Sequence, residues 1–299
     1  MSKKVLVIYY SQSGQLGDII KSLTEPIAAA GHSIETVCVL PAKAYPFPWK
    51  GKSFFAVMPD CVKGVPTELQ PFQLKENAYD LVILGYQAWF LSPSIPSNSI
   101  LNHPSVKAVL KNTAIVTITG ARNMWISAME RIKASLEETG AWLKGNIVLV
   151  DKHANLVSFV TILYWMFTAK RDRYLNVFPK PGVADADVDA CKSYGAIVEN
   201  HLEKGTWDGM QDELIHAKAI EVKYNLMFIE SKAKRIFAIW ANIIVKRKNK
   251  TAWLVAFKYY LIIALFIAAP VILTIDAIFF KPFLSGRIKK QKQNYLGVN

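Results

Sequence analysis

Apolar residues in this chain fall into short unbroken runs and two longer ones, and the two kinds predict different structure. Residues 5–10, 81–85, 114–119 and 146–151 are short runs dominated by Val, Ile and Leu. They are too short for helices and suit strands buried on both faces. A further short strand, 33–39, is marked by Ile34 and Val37. Between them the spacing is helical: 16–30, closed by Gly31 as a glycine just past the helix end; 104–111; 124–139, stopped by Gly140; and 185–203, with acidic residues in its first turn where the helix dipole favours them. Strands alternating with helices predict an α/β fold, a doubly wound five-stranded parallel sheet in the order 2-1-3-4-5.

The longer runs interrupt that alternation. Residues 156–167 are almost wholly apolar and meet Lys170, Arg171 and Arg173. Twelve residues are too few to cross a bilayer, so a buried or lid helix is expected ahead of an interfacial membrane helix. The second run lies within 253–283, and its purest part, 259–275, is 17 residues without a charge. That is just long enough for one span, with Lys258 able to snorkel to an interface. Pro270 would kink such a helix, and Asp276 sits near its far end. A kinked span and a re-entrant hairpin both remain open. Residues 213–245 are helical with alternating charge. Three parts follow: an α/β domain over 1–204, a charged helical linker over 205–250, and a membrane-anchoring segment with a basic tail over 251–299.

Composition sharpens this division. The hydrophobic fraction is 52% and the mean hydropathy +0.19, high for a soluble protein. The net charge of +13 is uneven: residues 1–204 hold 21 Lys and Arg against 17 Asp and Glu, residues 205–299 hold 15 against 6. A basic C-terminal part flanking an apolar run fits anionic lipid headgroups, and no nucleic-acid motif accompanies it. Basic residues lie on both flanks, so the positive-inside rule selects no orientation. Cys38, Cys61 and Cys191 are too widely spaced for a disulfide framework or a metal site, which suits a reducing cytoplasm. Only six apolar residues follow Lys3 and Lys4, so no signal peptide is expected.

The loops after strands 1, 3 and 4 converge at the carboxyl edge of the predicted sheet, where such folds bind ligands. The first, Ser11-Gln12-Ser13-Gly14-Gln15-Leu16, runs from a strand into a helix, so backbone N–H groups and the positive helix end suit a phosphate. It lacks the Gly-Lys-Ser/Thr ending of a nucleoside triphosphate loop and the G-x-G-x-x-G of a dinucleotide loop. Hydroxyls and amides without a lysine suit a single monoester phosphate. The second loop carries Tyr86, Gln87, Ala88, Trp89 and Phe90, whose rings are able to stack on a flat aromatic. The third carries Thr119, Gly120, Ala121, Arg122 and Asn123, with amides for a polar ring edge. A monophosphate loop beside an aromatic shelf is what flavin mononucleotide (FMN) needs. A further aromatic and Pro-rich loop, 41–71, is expected to pack over something, as a satellite core or a ligand lid.

These loops resemble those of the flavodoxin superfamily, in which Thr/Ser-x-Thr/Ser-Gly-Asn/Gln holds the FMN phosphate. The resemblance covers roughly residues 3–204. More narrowly, Phe47-Pro48-Trp49, Ser53-Phe54-Phe55-x-x-Met58-Pro59 and Gly120-Ala121-Arg122-Asn123-Met124-Trp125 are similar to a bacterial subfamily, the dialkylresorcinol condensing enzymes of aryl-polyene and flexirubin-type pathways. That resemblance implies aromatisation of a dialkyl-cyclohexanedione to the resorcinol, with a separate ketosynthase making the ring. It also implies a lipophilic substrate, attachment at the cytoplasmic face of the bacterial inner membrane, and room for a homodimer, since superfamily members often pair.

The residues agree with aromatisation, since no cysteine has a paired histidine for acyl condensation. Removing two hydrogens from a cyclic dione requires a hydride acceptor and a group to take or stabilise the proton's charge. Arg122, Tyr86 and His103 are the candidates near the predicted loops, Arg122 either as electrostatic partner of the substrate or as a holder of the flavin's pyrimidine edge. An NAD(P)H-dependent flavin or quinone reductase, a tethered electron carrier and a non-catalytic membrane protein are the alternatives.

Overall fold

The computed structural model describes residues 2–298. Five strands, β1 (Lys4–Tyr9), β2 (Ser33–Cys38), β3 (Leu81–Tyr86), β4 (Ala114–Ala121) and β5 (Trp142–Val150), form one parallel sheet in the order β2-β1-β3-β4-β5. This is the expected doubly wound order, and it places a switch point between β1 and β3. β5 begins earlier than the apolar run predicts. Trp142 and Leu143 pair with Ala114 and Ile115, and an irregularity between Ile115 and Val116 then restores the register.

Alternate side chains of the central strands go to opposite faces. Val5, Val7, Leu81, Ile83, Val116 and Ile118 meet helices α1 (Gln15–Ala29) and α8 (Asp185–Lys204). Leu6, Ile8, Val82, Leu84 and Ile115 meet α5 (Pro104–Leu110) and α6 (Ile126–Thr139) on the other face. Helices on both faces explain why the strands are continuous apolar runs. α1 and α8 approach so closely that a Cβ on Gly195 would collide with the Leu23 carbonyl oxygen.

Three segments depart from the sequence expectation. The aromatic stretch 41–71 holds two short helices, α2 (Gly51–Ala56) and α3 (Met58–Lys63), with Pro59 in the first turn of α3 where its missing N–H costs nothing. After β3 the chain makes a small hairpin, Ala88–Trp89 with Ser92–Pro93, then α4 (Ile95–Asn102), capped by Ser94 accepting from the Ser97 N–H at 3.3 Å. Finally, the segment expected as a linker begins inside the α/β domain. α9 (Met210–His216) buries Met210 and Leu214 against the sheet, and the Val148 N–H donates to the Ala219 carbonyl at 2.8 Å. Alternating charges hid this, because only the inward residues of a seven-residue helix are apolar.

The rest is a helical layer. α7 (Asn155–Thr168) is the first long apolar run; Ser158, Thr161 and Trp165 are buried, and Leu156 and Phe167 are exposed. α10 (Tyr224–Val245) is followed by α11 (Lys250–Phe280), the one helix among the described residues long and apolar enough to cross a membrane. It is a single continuous helix. The turn at Ala264–Ala268 widens to i→i+5 geometry just before Pro270, which absorbs the proline without breaking the helix. α12 (Ser285–Leu296) closes the chain.

α11 runs antiparallel along α10. Near its start Phe257 is fully buried, 5.3 Å from the Phe237 ring and 5.7 Å from Trp240. Near its end the Tyr224 hydroxyl donates to Asp276 at 2.8 Å, and Lys281 lies over the Tyr224 ring. The Gln211 side-chain amide then holds the Leu296 carbonyl at 2.6 Å.

Candidate functional site

The loop after β1 turns tightly into α1. Gly14 adopts φ +88°, a conformation open to glycine but strained for other residues, and its carbonyl accepts from the Gly17 N–H at 2.8 Å. Ser11 Oγ is buried and, among the described residues, has no hydrogen-bond partner. Such an orphan at a helix N-terminus is what an oxyanion ligand would satisfy. Gln12 and Gln15 are engaged elsewhere. Gln12 bonds the Tyr10 hydroxyl and reaches the carbonyls of Tyr45 at 3.2 Å and Pro46 at 3.0 Å. Gln15 bonds both backbone groups of Val183. These bonds shape the loop, and Gln12, Ser13 and Gln15 all line the cavity on which it opens.

The second loop supplies an aromatic wall. Trp89 stands edge-on to Tyr10, Tyr45 and Trp49 at centroid distances of 6.0, 5.3 and 5.6 Å. Phe90 and Leu91 take left-handed conformations in the hairpin turn, and the Phe90 ring packs 4.8 Å from Phe54 of α2. The 41–71 segment therefore does pack over the site. It is tied there by the Trp49 N–H, which donates to the Met166 carbonyl of α7 at 2.8 Å.

The third loop is pinned to the start of α7. Arg122 Nη1 donates to Asn155 Oδ1 at 2.8 Å and to the Asn155 carbonyl at 3.1 Å, and its guanidinium lies 5.8 Å from the Phe159 ring centre. Burial pushes the Arg122 pKa down to about 10, opposed by the Asp151 charge, so the group stays cationic at neutral pH. Asn123 donates to Asn155 Oδ1 at 2.6 Å, and its own Oδ1 is buried without a partner among the described residues.

These loops open on a cavity of about 1230 Å³ lined by Gln12, Ser13, Gln15, Leu16, Gln87, Ala88, Trp89, Phe90, Gly120, Ala121, Arg122 and Asn123. Phe159 and Met166 of α7, Phe237 of α10, and Leu254 and Phe266 of α11 complete its lining. Pockets for drug-sized ligands usually run about 300–1,000 Å³, so this one has room beyond a single ring system. These lining helices carry no motif; in the sequence α7 is only an apolar run, and α10 and α11 only charged and apolar helices.

Five expected residues, Ser11, Gly14, Tyr86, Thr119 and His103, do not line the cavity, and for the last three the physical reason is plain. The Tyr86 ring turns into the core, fully buried, with burial pushing its hydroxyl pKa far up. Thr119 is buried and donates to the Tyr86 carbonyl at 2.7 Å. His103 joins α4 to α5 and stacks 4.6 Å from Phe72. Strand alternation sends both Tyr86 and Thr119 to the sheet face away from α1, and α4 carries His103 out of the site. Ser11 and Gly14 stay in the loop after β1 beside Gln12 and Ser13, which do line the cavity.

Two groups of titratable residues lie outside the cavity. Glu230 of α10 is 1% exposed and accepts from the Ser127 N–H at the start of α6 at 2.6 Å. Burial raises its pKa to about 7. His32 lies near Glu199 and Glu203. The Lys3 N–H donates to His32 Nδ1 at 3.2 Å, which places the proton of the neutral ring on Nε2, the atom a metal would need.

No family model matches the sequence, and no curated protein is similar to it. Solved structures are. A flavoprotein from Lactobacillus acidophilus in complex with FMN is 18% identical over 49% of this chain and 93% of its own, with a TM-score of 0.40. A flavodoxin from the domain Archaea is 11% identical over 67% and 99%, TM-score 0.38. Oxidised flavodoxin 1 from Bacillus cereus is 15% identical over 64% and 95%, TM-score 0.34.

Proposed function

We propose that this chain is a membrane-associated, FMN-dependent oxidoreductase that aromatises a lipophilic dialkyl-cyclohexanedione to a dialkylresorcinol. The observation that carries the reading is the continuity of one cavity from the loop after β1 to the apolar helices α7 and α11. A monoester phosphate fits Ser13 and the α1 amides, with the unpartnered Ser11 hydroxyl in the same loop, and a flat ring fits between the Trp89 loop and Gly120–Asn123. The apolar lining from α11 would take alkyl chains.

Bound FMN would supply the hydride-accepting chemistry. The chain's own residues supply the rest. Trp89 and Phe90 orient a ring and exclude water, together with Trp49 and Phe54. Arg122, held by Asn155, would stabilise the negative charge that develops on a dione oxygen as its ring proton leaves. The dione loses two hydrogens in all, one as the hydride that bound FMN would accept and one as an acidic ring proton that passes to solvent water. Neither Tyr86 nor His103 faces the cavity, so electrostatic stabilisation by Arg122 takes precedence over a protein base. A resorcinol with two alkyl chains partitions into lipid at about 0.8 kcal/mol per buried CH₂. Attachment at the cytoplasmic face of a bacterial inner membrane would bring enzyme and substrate together, downstream of a ketosynthase that makes the ring.

Absorbance of the purified protein tests the cofactor: flavin bands near about 370 and 450 nm are expected, and their absence after reconstitution with FMN would remove the redox reading.

A further inference from the structure

We infer that α11 lies flat in one leaflet rather than crossing the bilayer, and that the cavity opens sideways into the lipid between α7 and α11. The inference takes membrane association from the proposed function and adds orientation and entry route.

A span needs its two ends on opposite sides of roughly 30 Å of hydrocarbon. α11 is long enough, but both its ends are fastened to the same α/β domain. Its first turns pack on α10 through Phe257, Phe237 and Trp240. Its last turns return to the root of α10 through Asp276, which is 3% exposed and bonded to Tyr224, and α12 continues to Gln211. Spanning can keep the contacts of one end at most: with the start held by Phe257, it separates Asp276 from Tyr224 and α12 from Gln211. α10 cannot accompany α11 across, since Glu230, Lys232, Lys234 and Arg235 interrupt it.

The outward side of α11 has the opposite character. Tyr259, Ile263, Ile267 and Val271 recur every four residues, and each is between 53 and 61% exposed. Residues at i and i+4 share one face, so these form a stripe along the helix. Exposed basic residues stand at both ends: Lys246, Arg247 and Lys248 before it, Arg287, Lys289 and Lys290 after it. An apolar stripe between two basic clusters on one side of a protein matches an acyl layer beneath anionic headgroups. This also accounts for basic flanks that select no orientation: both face the same surface.

The mouth follows from the lining. Val255, Ile262, Phe266 and Phe167 line the cavity and remain 49, 41, 43 and 37% exposed. Phe159 of α7 and Phe266 of α11 meet at 5.6 Å along this seam. The cavity therefore reaches the surface beside the apolar stripe, where a lipid-dissolved molecule would arrive without passing through water.

Single-cysteine labelling with a membrane-impermeant maleimide tests both parts. The full chain carries Cys38→Ser, which removes the exposed thiol while Cys61 and Cys191 stay buried. Asn294→Cys and Ile262→Cys are compared in inverted inner-membrane vesicles and in spheroplasts, with unaltered Cys38 marking the side of the α/β domain. The expected pattern is Asn294→Cys labelled only on the side that labels Cys38, and Ile262→Cys labelled only after detergent. Labelling of Asn294→Cys from the other side would overturn the flat orientation. Labelling of Ile262→Cys without detergent would overturn the lipid-facing mouth. Flavin content of the same membranes is read separately, so colourless protein with the expected labelling would fault the redox reading alone, and Asn294→Cys found in the soluble fraction would fault membrane association itself.

Discussion

Gln15, the first residue of α1, and Val183, 168 positions later, are joined by two hydrogen bonds: the Gln15 amide donates to the Val183 carbonyl at 2.8 Å, and the Val183 N–H donates to Gln15 Oε1 at 3.1 Å. The pair ties the loop after β1 to the strap that leads into α8. Gly182, at φ +82°, lets the strap pass: a Cβ there would lie 2.6 Å from Gln15 Oε1 and 2.6 Å from Trp165.

Gln15→Ala is expected to leave the Val183 N–H buried and unpaired, at a cost of about 1–3 kcal/mol. The Val183 carbonyl keeps Arg171, 2.7 Å away. Thermal melting should fall, and FMN should be retained less well because the loop is released. Calorimetry with and without added FMN reads both effects.

Arg122→Ala should slow reduction of the flavin by substrate by about 100-fold, in the range for loss of one preorganised charge-stabilising donor. Arg122→Lys should recover little, since one ammonium cannot both keep the Asn155 contacts made by Nη1 and present further donors to a substrate. Stopped-flow bleaching at equal flavin occupancy measures the rate; an unchanged rate would place Arg122 outside the chemistry.

Glu230 makes stability depend on pH in an unusual direction for a carboxylate. Its pKa rises on folding from an ordinary 4.5 to about 7, so the folded chain holds the proton more tightly than the unfolded one. That contribution is fully present below about pH 4.5 and is lost as the pH rises to about 7. The full effect is on the order of 3 kcal/mol. Glu230→Gln keeps an acceptor for the Ser127 N–H and should flatten the decline, as seen by denaturant melts of both proteins across that range.

Ile263→Lys with Ile267→Lys places two charges on the outer stripe of α11 without touching the packed side. The doubly substituted protein should lose most of its sedimentation with vesicles containing anionic lipid while keeping its flavin. Removing everything after Lys250 would be a poorer test, since it strips one wall from the cavity and uncovers Phe237.

The sheet was legible in the sequence because parallel strands buried on both faces leave continuous apolar runs, as at Val5–Ile8 and Leu81–Leu84. The three loops were legible for a related reason, since each follows such a run directly. Side-chain direction was not. Tyr86 and Thr119 each sit within two residues of cavity-lining positions, yet their strand phase sends them to the opposite face. Nor was the burial of α9 and α10 apparent, because a short helix with charged outer residues looks like a linker until its inward face, Met210 and Leu214 or Phe237 and Ile244, finds a partner. The apolar run of α11 revealed a helix long and apolar enough to cross a membrane but not its packing along α10, which includes single contacts such as Tyr224 with Asp276.

Anaerobic mixing of the flavin-loaded protein with a dialkyl-cyclohexanedione decides whether the cavity aromatises its ligand. Bleaching of the flavin band near about 450 nm with release of one dialkylresorcinol per flavin is expected. Bleaching by NAD(P)H alone, with the dione left unchanged, would contradict it.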